Sequence, residues 1–163
     1  MKTYFIEPLS PSVINNVELL LNKIFDDSKD EEKAIVMASL NPILHKDIFS
    51  HNNIKTAEYW VLKDKKTDKT IGLTGLYQEL NDYENICWLG WFCVDESYRR
   101  KGLGKKLLDF SIQQAKNLKK KYLHLYTFNS KKYHPAIQMY KNYGFNEYTY
   151  SRDTQDLYLK KDI

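Results

Sequence analysis

The segment at residues 99–104 contains the residues of this chain that are best suited to bind a charged ligand. Glycines at positions 102 and 104 let the backbone approach a ligand closely. A helical pattern follows, and consecutive N–H groups at the start of a helix form an anion site. Arg100, Lys101 and Lys105 add positive charge. The glycines alone would favour a tight loop without a ligand, but the buried strand before them and the flanking cations favour phosphate binding.

Basic residues are concentrated around this loop. Residues 99–132 contain eleven lysines or arginines and one acid, Asp109, whereas the rest of the chain has 14 basic and 20 acidic residues. A local charge of +10 beside −6 elsewhere indicates a polyanionic partner, either a nucleic acid or a phosphorylated small molecule. From Lys116 onward a solvated helix end is the simpler explanation, because cations there complement the helix dipole.

Length and composition predict a single domain over residues 1–163. A hydrophobic fraction of 42% and a charged fraction of 28% are globular values, which exclude disordered, collagen-like and wholly coiled-coil proteins. The longest uncharged apolar run, residues 86–94, is shorter than the ~20 residues that span a bilayer. An acid and a proline interrupt the N-terminus where a signal peptide has its apolar core. We therefore expect a cytoplasmic protein with no membrane partner and with Cys87 and Cys93 reduced.

Periodicity predicts a mixed α/β chain. Strand patterns occupy residues 4–7, 57–62, 71–80, 86–94 and 122–128, and a closing hairpin joins 145–150 to 155–160. Helical patterns occupy residues 10–25, 30–40, 103–118 and 135–143. Residues 45–53 show no clear pattern. The strand–helix–strand order from residue 86 to residue 128 predicts that these two strands are parallel.

Two segments resemble motifs of the GNAT family of N-acetyltransferases. Residues 92–108 are similar to its acetyl-CoA-binding motif, Gln/Arg-x-x-Gly-x-Gly/Ala after a strand that ends in valine, with Arg99, Gly102 and Gly104 filling the signature. Residues 136–145 are similar to a second family motif, Ala-x-x-x-Tyr-x-x-x-Gly-Phe. Two motifs in the family's order are more specific than either alone. The predicted order of elements also matches the family fold, so the resemblance covers nearly the whole chain.

The resemblance implies a mixed, mostly antiparallel sheet of about six to seven strands flanked by about four helices. The sheet would splay open between the strand ending at Val94 and the strand 122–128 to hold acetyl-CoA. By position, the pantetheine arm would pair with the backbone of Phe92, Cys93 and Val94. The pyrophosphate would be held by the amides of Arg100, Lys101, Gly102, Leu103, Gly104 and Lys105, and Arg99 would also belong to the cofactor site. Acetyl-CoA then accounts for the local charge, so we expect neither a nucleic-acid partner nor a metal.

The resemblance also implies a chemical role for Tyr140. In the family an amine attacks the thioester directly, in a ternary complex, and the matching tyrosine protonates the departing thiolate. A phenol with a pKa of about 10 can give a proton to a thiolate whose conjugate acid is near 8.5. The alternative is that Tyr140 is an ordinary core aromatic on a helix stripe. The expected function is acetyl transfer to a primary amine, and the alternative is a CoA-binding regulatory module without turnover.

Other positions leave the chemistry open. Tyr133 stands where many family members have asparagine, so a cofactor hydrogen bond is lost or is supplied by Asn129. His134 is interpreted as structural. Glu79 and Glu84 are candidate general bases on the acceptor side, but solvated strand-end acids or a water relay explain the pattern equally well.

The acceptor site has no diagnostic motif. Strand alternation predicts Trp88, Gly90 and Phe92 on one face and Leu89, Trp91 and Cys93 on the other. Core packing is the main interpretation of these side chains. A second, more specific interpretation is that Trp88 and Gly90 line the acceptor pocket, with the glycine leaving room for the amine. The acceptor, a small molecule or a peptide, stays open, and the closing hairpin offers an edge for a homodimer.

Overall fold

A computed structural model describes residues 3–148 and 156–163. Within these ranges eight strands form one sheet, in the order β1-β2-β3-β4-β6-β8-β7, and β5 pairs with β3 off this path. The strands are β1 (Tyr4–Pro8), β2 (Ile54–Asp64), β3 (Thr70–Glu79), β4 (Ile86–Leu89), β5 (Cys93–Val94), β6 (Tyr122–Phe128), β7 (Asn146–Glu147) and β8 (Asp156–Asp162). The helices are α1 (Ile14–Ile24), α2 (Asp30–Ala38), α3 (Lys46–His51), α4 (Leu103–Asn117) and α5 (His134–Asn142), with 3-10 turns at Pro11–Val13 and Glu96–Tyr98.

The predicted fold class is confirmed. β4 and β6 are parallel as expected, and the other strand pairs are antiparallel. The described part has one strand and one helix more than predicted, because the strand predicted at residues 86–94 is divided into β4 and β5, and because α3, with six residues, is too short to show a period. The tip of the predicted closing hairpin, residues 149–155, lies outside the described residues. None of the helices in the described ranges is long and apolar enough to cross a bilayer.

Helices cover both faces of the sheet. We call the face under α1, α2 and α3 the first face; Val17 and Leu21 of α1 pack there against Val61 and Leu73. The second face lies under α4 and α5, where the buried positions of α4 recur every three to four residues, as in an amphipathic helix. Each fully buried leucine or valine contributes about 1.5–3 kcal/mol of burial free energy. The two apolar layers therefore fix which side of each central strand faces which helices.

The strand predicted at residues 86–94 is broken between β4 and β5. Leu89 and Phe92 both contact the second-face core, although they are three positions apart. Trp91 and Cys93 both contact the first-face core. The predicted alternation, with Leu89 on the side of Trp91 and Cys93, is therefore wrong. An irregular link shifts the alternation by one position, as a β-bulge does.

Tyr59 of β2 packs against the backbone at this break. A Cβ on Gly75 would lie 2.2 Å from its ring, and a Cβ on Gly90 would lie 2.8 Å from its hydroxyl oxygen. The Gly90 amide donates to the Gly75 carbonyl at 2.8 Å. Burial raises the pKa of Tyr59, and a hydrogen bond from the Trp91 backbone opposes that rise. The Tyr59 ring therefore occupies the space beside Gly90. This is the space that an acceptor amine would need if Trp88 and Gly90 lined its pocket.

Asp95 fixes the turn after β5. Its carboxylate accepts hydrogen bonds from the Ser97 amide at 2.9 Å and from the Lys23 ammonium of α1 at 3.1 Å, although the residue is only 3% exposed. Burial by itself would raise the pKa of Asp95, but the bonds from Ser97 and Lys23 outweigh it and hold the pKa below its usual range. Asp95 therefore connects α1 to the start of the loop that leads into α4.

Replacing Gly75 by alanine should destabilise the protein by about 2–3 kcal/mol, because the new Cβ overlaps the Tyr59 ring. Urea unfolding of the wild type and the variant measures the loss. Gly104→Ala is the matched control, since its Cβ would lie 3.5 Å from Met139 and alanine favours a helix. In a Tyr59→Ala background the cost of Gly75→Ala should fall sharply. An undiminished cost there would contradict the assigned contact.

Replacing Asp95 by asparagine should lower the free energy of unfolding by about 1–3 kcal/mol at neutral pH, because the ion pair with Lys23 is lost. The folded-state pKa of Asp95 lies below its unfolded value, so the contribution is complete above about pH 5. It is lost as the pH falls through the folded-state pKa. Urea unfolding at neutral pH and near pH 3 should show the two proteins converging in acid. Asp162→Asn, at an exposed position, is the control; a gap that does not narrow in acid would refute the ion-pair role.

Candidate functional site

The sheet opens between β5 and the second half of β6. β4 and β6 are paired as far as Trp88 and His124, and no further pair follows within the described residues. Beyond that point β5 pairs with β3 alone, while β6 continues beside β8. We call the opening the cleft and the Trp88–His124 pair its apex. The edge of β5 that faces the cleft carries backbone groups without a strand partner in the described part of the chain, so an extended ligand can pair with it.

The loop between β5 and α4 presents free backbone donors. Arg100 and Gly102 have positive φ angles of 60° and 74°. The first hydrogen bond of α4 runs from the Lys106 amide to the Gly102 carbonyl at 3.0 Å. Among the described residues, the six amides of residues 100–105 have no acceptor. Nothing lies within 4 Å of a Cβ built on Gly102, so an anion has open access.

The side chains of this loop divide into two groups. Arg100, Lys101 and Lys105, which belong to the segment with the free amides, are exposed. The Arg99 guanidinium is used within the fold: Nε donates to the Val94 carbonyl at 3.1 Å, and Nη1 lies 3.6 Å from Glu96. The guanidinium of Arg99 therefore holds the loop onto the end of β5, while the three exposed cations supply the field at the amides.

The basic stretch 99–132 does not form one patch. Lys120 lies beyond the far end of α4, where Nζ donates to the Gln78 side chain at 3.0 Å and to the Glu84 carbonyl at 2.6 Å. Lys132 lies 3.2 Å from both Asp26 and Asp27. Lys120 and Lys132 are thus engaged elsewhere on the surface and do not extend the cluster formed by Arg100, Lys101 and Lys105.

Tyr140 of α5 lies beside β5. It is 6% exposed, and its ring is 6.0 Å from that of Phe92 and 5.9 Å from that of Phe145. Burial raises the pKa of Tyr140, and the nearby Cys93 adds to the rise, so the hydroxyl is protonated at neutral pH. Within the described residues the hydroxyl makes no hydrogen bond. The structure thus brings a protonated phenol next to β5.

The two cysteines are unsuited to covalent catalysis. Both Cys87 and Cys93 are free and buried. Burial raises the pKa of each thiol to about 12, so neither is a thiolate at neutral pH. The chemistry available beside Tyr140 is therefore proton transfer, not formation of a thioester on the protein.

Trp88, on the first face at the apex, is a core residue. It is 1% exposed, and Nε1 donates to Asp82 at 2.9 Å. Its ring stacks on Tyr77 at 6.1 Å and meets the edge of His124 at 5.1 Å. The structure favours the core interpretation of Trp88 over its use as a pocket wall, and it places His124, not the tryptophan, at the surface of the apex.

Sequence reasoning missed His124. Its side chain is half-buried on the first face, and Nδ1 lies 3.0 Å from the hydroxyl oxygen of Tyr148. Burial lowers the pKa of His124; Asp82 raises it and Lys160 lowers it further. The parallel register of β4 and β6, which depends on the fold, is what brings this histidine to the apex. The sequence contained one indication of this position. The predicted parallel pairing of residues 86–94 with residues 122–128 places a residue of β6 opposite Trp88.

The two glutamates proposed as bases have different surroundings. Glu84 is exposed and forms an ion pair with Lys55, which lowers the pKa of its carboxyl group. Glu79 is 5% exposed at the end of β3. Tyr126 is 46% exposed, but partial desolvation of its hydroxyl raises its pKa to about 12, helped by the carboxylates of Glu32 and Asp156 and more weakly by Glu79. The rim of the first face beside β6 is therefore acidic.

We call β5 with its link to β4 one arm of the cleft and β6 the other. On the first face, aromatic side chains connect these two arms. Phe25, at the end of α1, lies 4.9 Å from Trp91 and 6.5 Å from Tyr133, as measured between ring centroids. Tyr133 also contacts Phe128 at 6.0 Å. Tyr133, which replaces the family asparagine, is thus a packing residue. Asn129 lines a separate cavity of about 320 Å³ under α5.

No group of three or more histidine, cysteine, aspartate or glutamate side chains in residues 3–148 and 156–163 is arranged to hold a metal ion.

Comparisons with known proteins agree with this geometry. The family model of the acetyltransferase (GNAT) domain matches residues 55–147. A spermine/spermidine N(1)-acetyltransferase of Bacillus subtilis (strain 168) is 40% identical over 75 residues, which are 45% of this chain and 47% of that protein. The chain thus spans about half the length of the curated relatives that it matches.

Solved structures share the fold. A GNAT-family acetyltransferase of Staphylococcus aureus Mu50 covers 98% of both chains, with a TM-score of 0.71 and 21% identity. A GNAT-family acetyltransferase of Elizabethkingia anophelis with acetyl-CoA bound covers 100% of both chains, with a TM-score of 0.64 and 19% identity. Because the family model covers more than half of the sequence and includes both motifs, this chain belongs to the GNAT acetyltransferase family.

Proposed function

We propose that this chain transfers an acetyl group from acetyl-CoA to a primary amine by direct attack in a ternary complex. The observation that carries the proposal is the row of six free amides beside an unpaired strand edge, with a protonated tyrosine next to it. These are the three features that a phosphorylated, amide-containing thioester donor requires: an anion site, a pairing edge and a proton donor for the departing sulfur.

The residues of the cleft fit acetyl-CoA. The free amides of residues 100–105, at the start of α4, would bind the pyrophosphate, and Arg100, Lys101 and Lys105 would add charge-assisted contacts to its phosphates. The backbone of Cys93 and Val94 would pair with the two amides of the pantetheine arm, as an added strand does. Phe92, beside Tyr140, would border the thioester end of that arm.

Tyr140 would donate its proton to the leaving sulfur. The raised pKa keeps the hydroxyl protonated until the thiolate forms, and general acid catalysis typically accelerates a reaction 10²–10⁴-fold. The high thiol pKa of Cys93, the cysteine nearest to Tyr140, supports direct transfer over an acetylated enzyme.

A polyamine is the acceptor that we propose. The curated relatives that the chain matches over 45% of its length are named for spermine and spermidine. Glu32, Glu79 and Asp156 provide negative charge around Tyr126 on the first face. Carboxylates and aromatic rings together favour ammonium groups. One amine of the acceptor would react while another is held by this acidic rim.

Spermidine should be acetylated at least about 10-fold faster, in kcat/KM, than butylamine, because only the polyamine retains a second ammonium for the acidic rim. Release of the CoA thiol measures turnover, and calorimetry measures acetyl-CoA binding. Glu32→Gln should reduce the preference, and Glu18→Gln is the matched control on the exposed side of α1. Binding without turnover on any amine would favour the regulatory module, and absence of acetyl-CoA binding would refute the proposal.

Tyr140→Phe should lower kcat about 100-fold or more, because the proton for the departing sulfur is lost. The dissociation constant of acetyl-CoA should stay within about twofold, since the ring still packs against Phe92. Steady-state kinetics and calorimetry check the two halves of the prediction. Tyr122→Phe, at an exposed tyrosine at the start of β6, should behave as the wild type. Equal turnover by the Tyr140 variant would refute its catalytic role.

A further inference from the structure

We propose that His124 is the general base of the reaction: its Nε2 atom takes the proton from the attacking amine, while Tyr148 holds the ring through Nδ1. The inference rests on the proposed function and names the group that the sequence motifs leave unassigned. It is carried by the position of the histidine in the sheet, by its hydrogen bond and by the surroundings of Glu84, one of the two candidate acids.

The position of His124 is set by strand pairing. The Trp88–His124 pair is the last one between β4 and β6, so the side chain stands where the sheet divides. The open edge of β5 and the apex border the same cleft, so a thioester paired with that edge would lie near the imidazole. Trp88 supports the imidazole ring edge-on at 5.1 Å. The imidazole therefore lies on a rigid strand at the closed end of the cleft, where positions are fixed more sharply than on a loop.

His124 and Tyr140 lie on opposite faces of the sheet. Leu123 and Leu125, the neighbours of His124 in β6, are buried in the second-face core, so alternation directs the histidine to the first face. Tyr140 belongs to the second-face core. An amine that enters from the first face meets His124, and the sulfur departs toward Tyr140. The two proton transfers are thereby separated in space.

The hydrogen bond to Tyr148 can set the tautomer. The 3.0 Å distance joins Nδ1 to the Tyr148 hydroxyl oxygen. When Nδ1–H donates to that oxygen, the lone pair is on Nε2, which makes no hydrogen bond with the described residues. Protonation at Nε2 then leaves the bond to Tyr148 intact. Tyr148 is thus a positioning residue, and His124 is the catalytic one.

The charges around His124 suit a base that is neutral at physiological pH. The titratable and charged groups that face it from the surrounding elements are Asp82 of the β3–β4 turn, Tyr148 after β7, and Tyr158 and Lys160 of β8. Burial is the largest influence and lowers the pKa of His124. The imidazole is therefore neutral and ready to accept a proton.

The competing acid is less well placed. Glu84 is held by Lys55 at the exposed surface, and the lowered pKa of its carboxyl group makes it a weaker base. It also precedes β4, whereas His124 stands at the end of the β4–β6 pairing. The strand register therefore favours the histidine.

The step balances in atoms and protons. The amine nitrogen forms a bond to the carbonyl carbon of the thioester, and the carbon–sulfur bond breaks with its electron pair on sulfur. The nitrogen loses one proton to His124 Nε2, and the sulfur gains one from the Tyr140 hydroxyl. His124 then releases its proton to solvent and Tyr140 regains one. The products are an N-acetylated amine and free CoA.

His124→Ala should lower kcat with spermidine about 100-fold or more. In the wild type, kcat/KM should fall as the pH drops through the pKa of His124, below about 6.5, because the base becomes protonated. This acidic limb should disappear in the variant, and added imidazole should restore part of the turnover. Tyr148→Phe should shift the pH at which this acidic limb appears, and it should reduce kcat by a smaller factor than His124→Ala does. His51→Ala, at an exposed histidine of α3, should retain the wild-type profile.

An NMR titration of the imidazole nitrogens supplies a readout that needs no turnover. It should show His124 neutral at pH 7 with its proton on Nδ1. A proton on Nε2, or an unchanged acidic limb in a folded His124→Ala, would overturn the proposal. If His124→Ala does not fold, Tyr148→Phe provides the test. The proposal would be overturned if this variant had the same kcat and the same acidic limb in its pH profile as the wild type. A wild-type protein that acetylates no amine, whatever the NMR result, would refute the proposed function instead, and the base assignment with it.

Discussion

The contact between the Tyr59 ring and the backbone of Gly75 and Gly90 is the constraint on which the site depends. Neither position has room for a Cβ, so the ring lies directly on two neighbouring strands. It stands at the link between β4 and β5, where the alternation of side chains shifts by one. Because of that shift, Phe92 reaches the core under α4 and α5, and β5 leaves β6. The sheet therefore opens next to a close contact among β2, β3 and the link between β4 and β5.

The divided sheet gives the two sides of the cleft different chemistry. The second face brings a buried phenol and the start of α4 to the strand edge, so it suits the phosphates and sulfur of a thioester donor. The first face has a half-buried imidazole and an acidic rim, so it suits an amine. A single sheet thus keeps apart the imidazole and the phenol to which we assign the two proton transfers.

Much of this arrangement follows from local sequence patterns. The loop glycines, the flanking cations and the position of Tyr140 depend on short-range spacing, and so does the parallel pairing of β4 with β6. The break in residues 86–94 could not be found in this way, because alternation assumes an unbroken strand and the cause of the break, Tyr59, lies about 30 positions earlier in the chain. The importance of His124 was hidden for the same reason. Its partners Trp88 and Tyr148 lie 36 and 24 positions away, and only the folded register joins them.

The position of Phe25 makes the width of the cleft a property of α1. Trp91 lies on one arm and Tyr133 follows the other, and the same phenylalanine ring contacts both. Any ligand that pushes the arms apart has to weaken these ring contacts, each worth about 0.5–1.5 kcal/mol. The affinity of the cleft for such a ligand is then the free energy of the contacts with the ligand, reduced by the free energy of the aromatic contacts that are lost. The end of α1 thus holds the two sides of the cleft at their resting separation through Phe25, and it holds the start of the loop before α4 through Lys23 and Asp95.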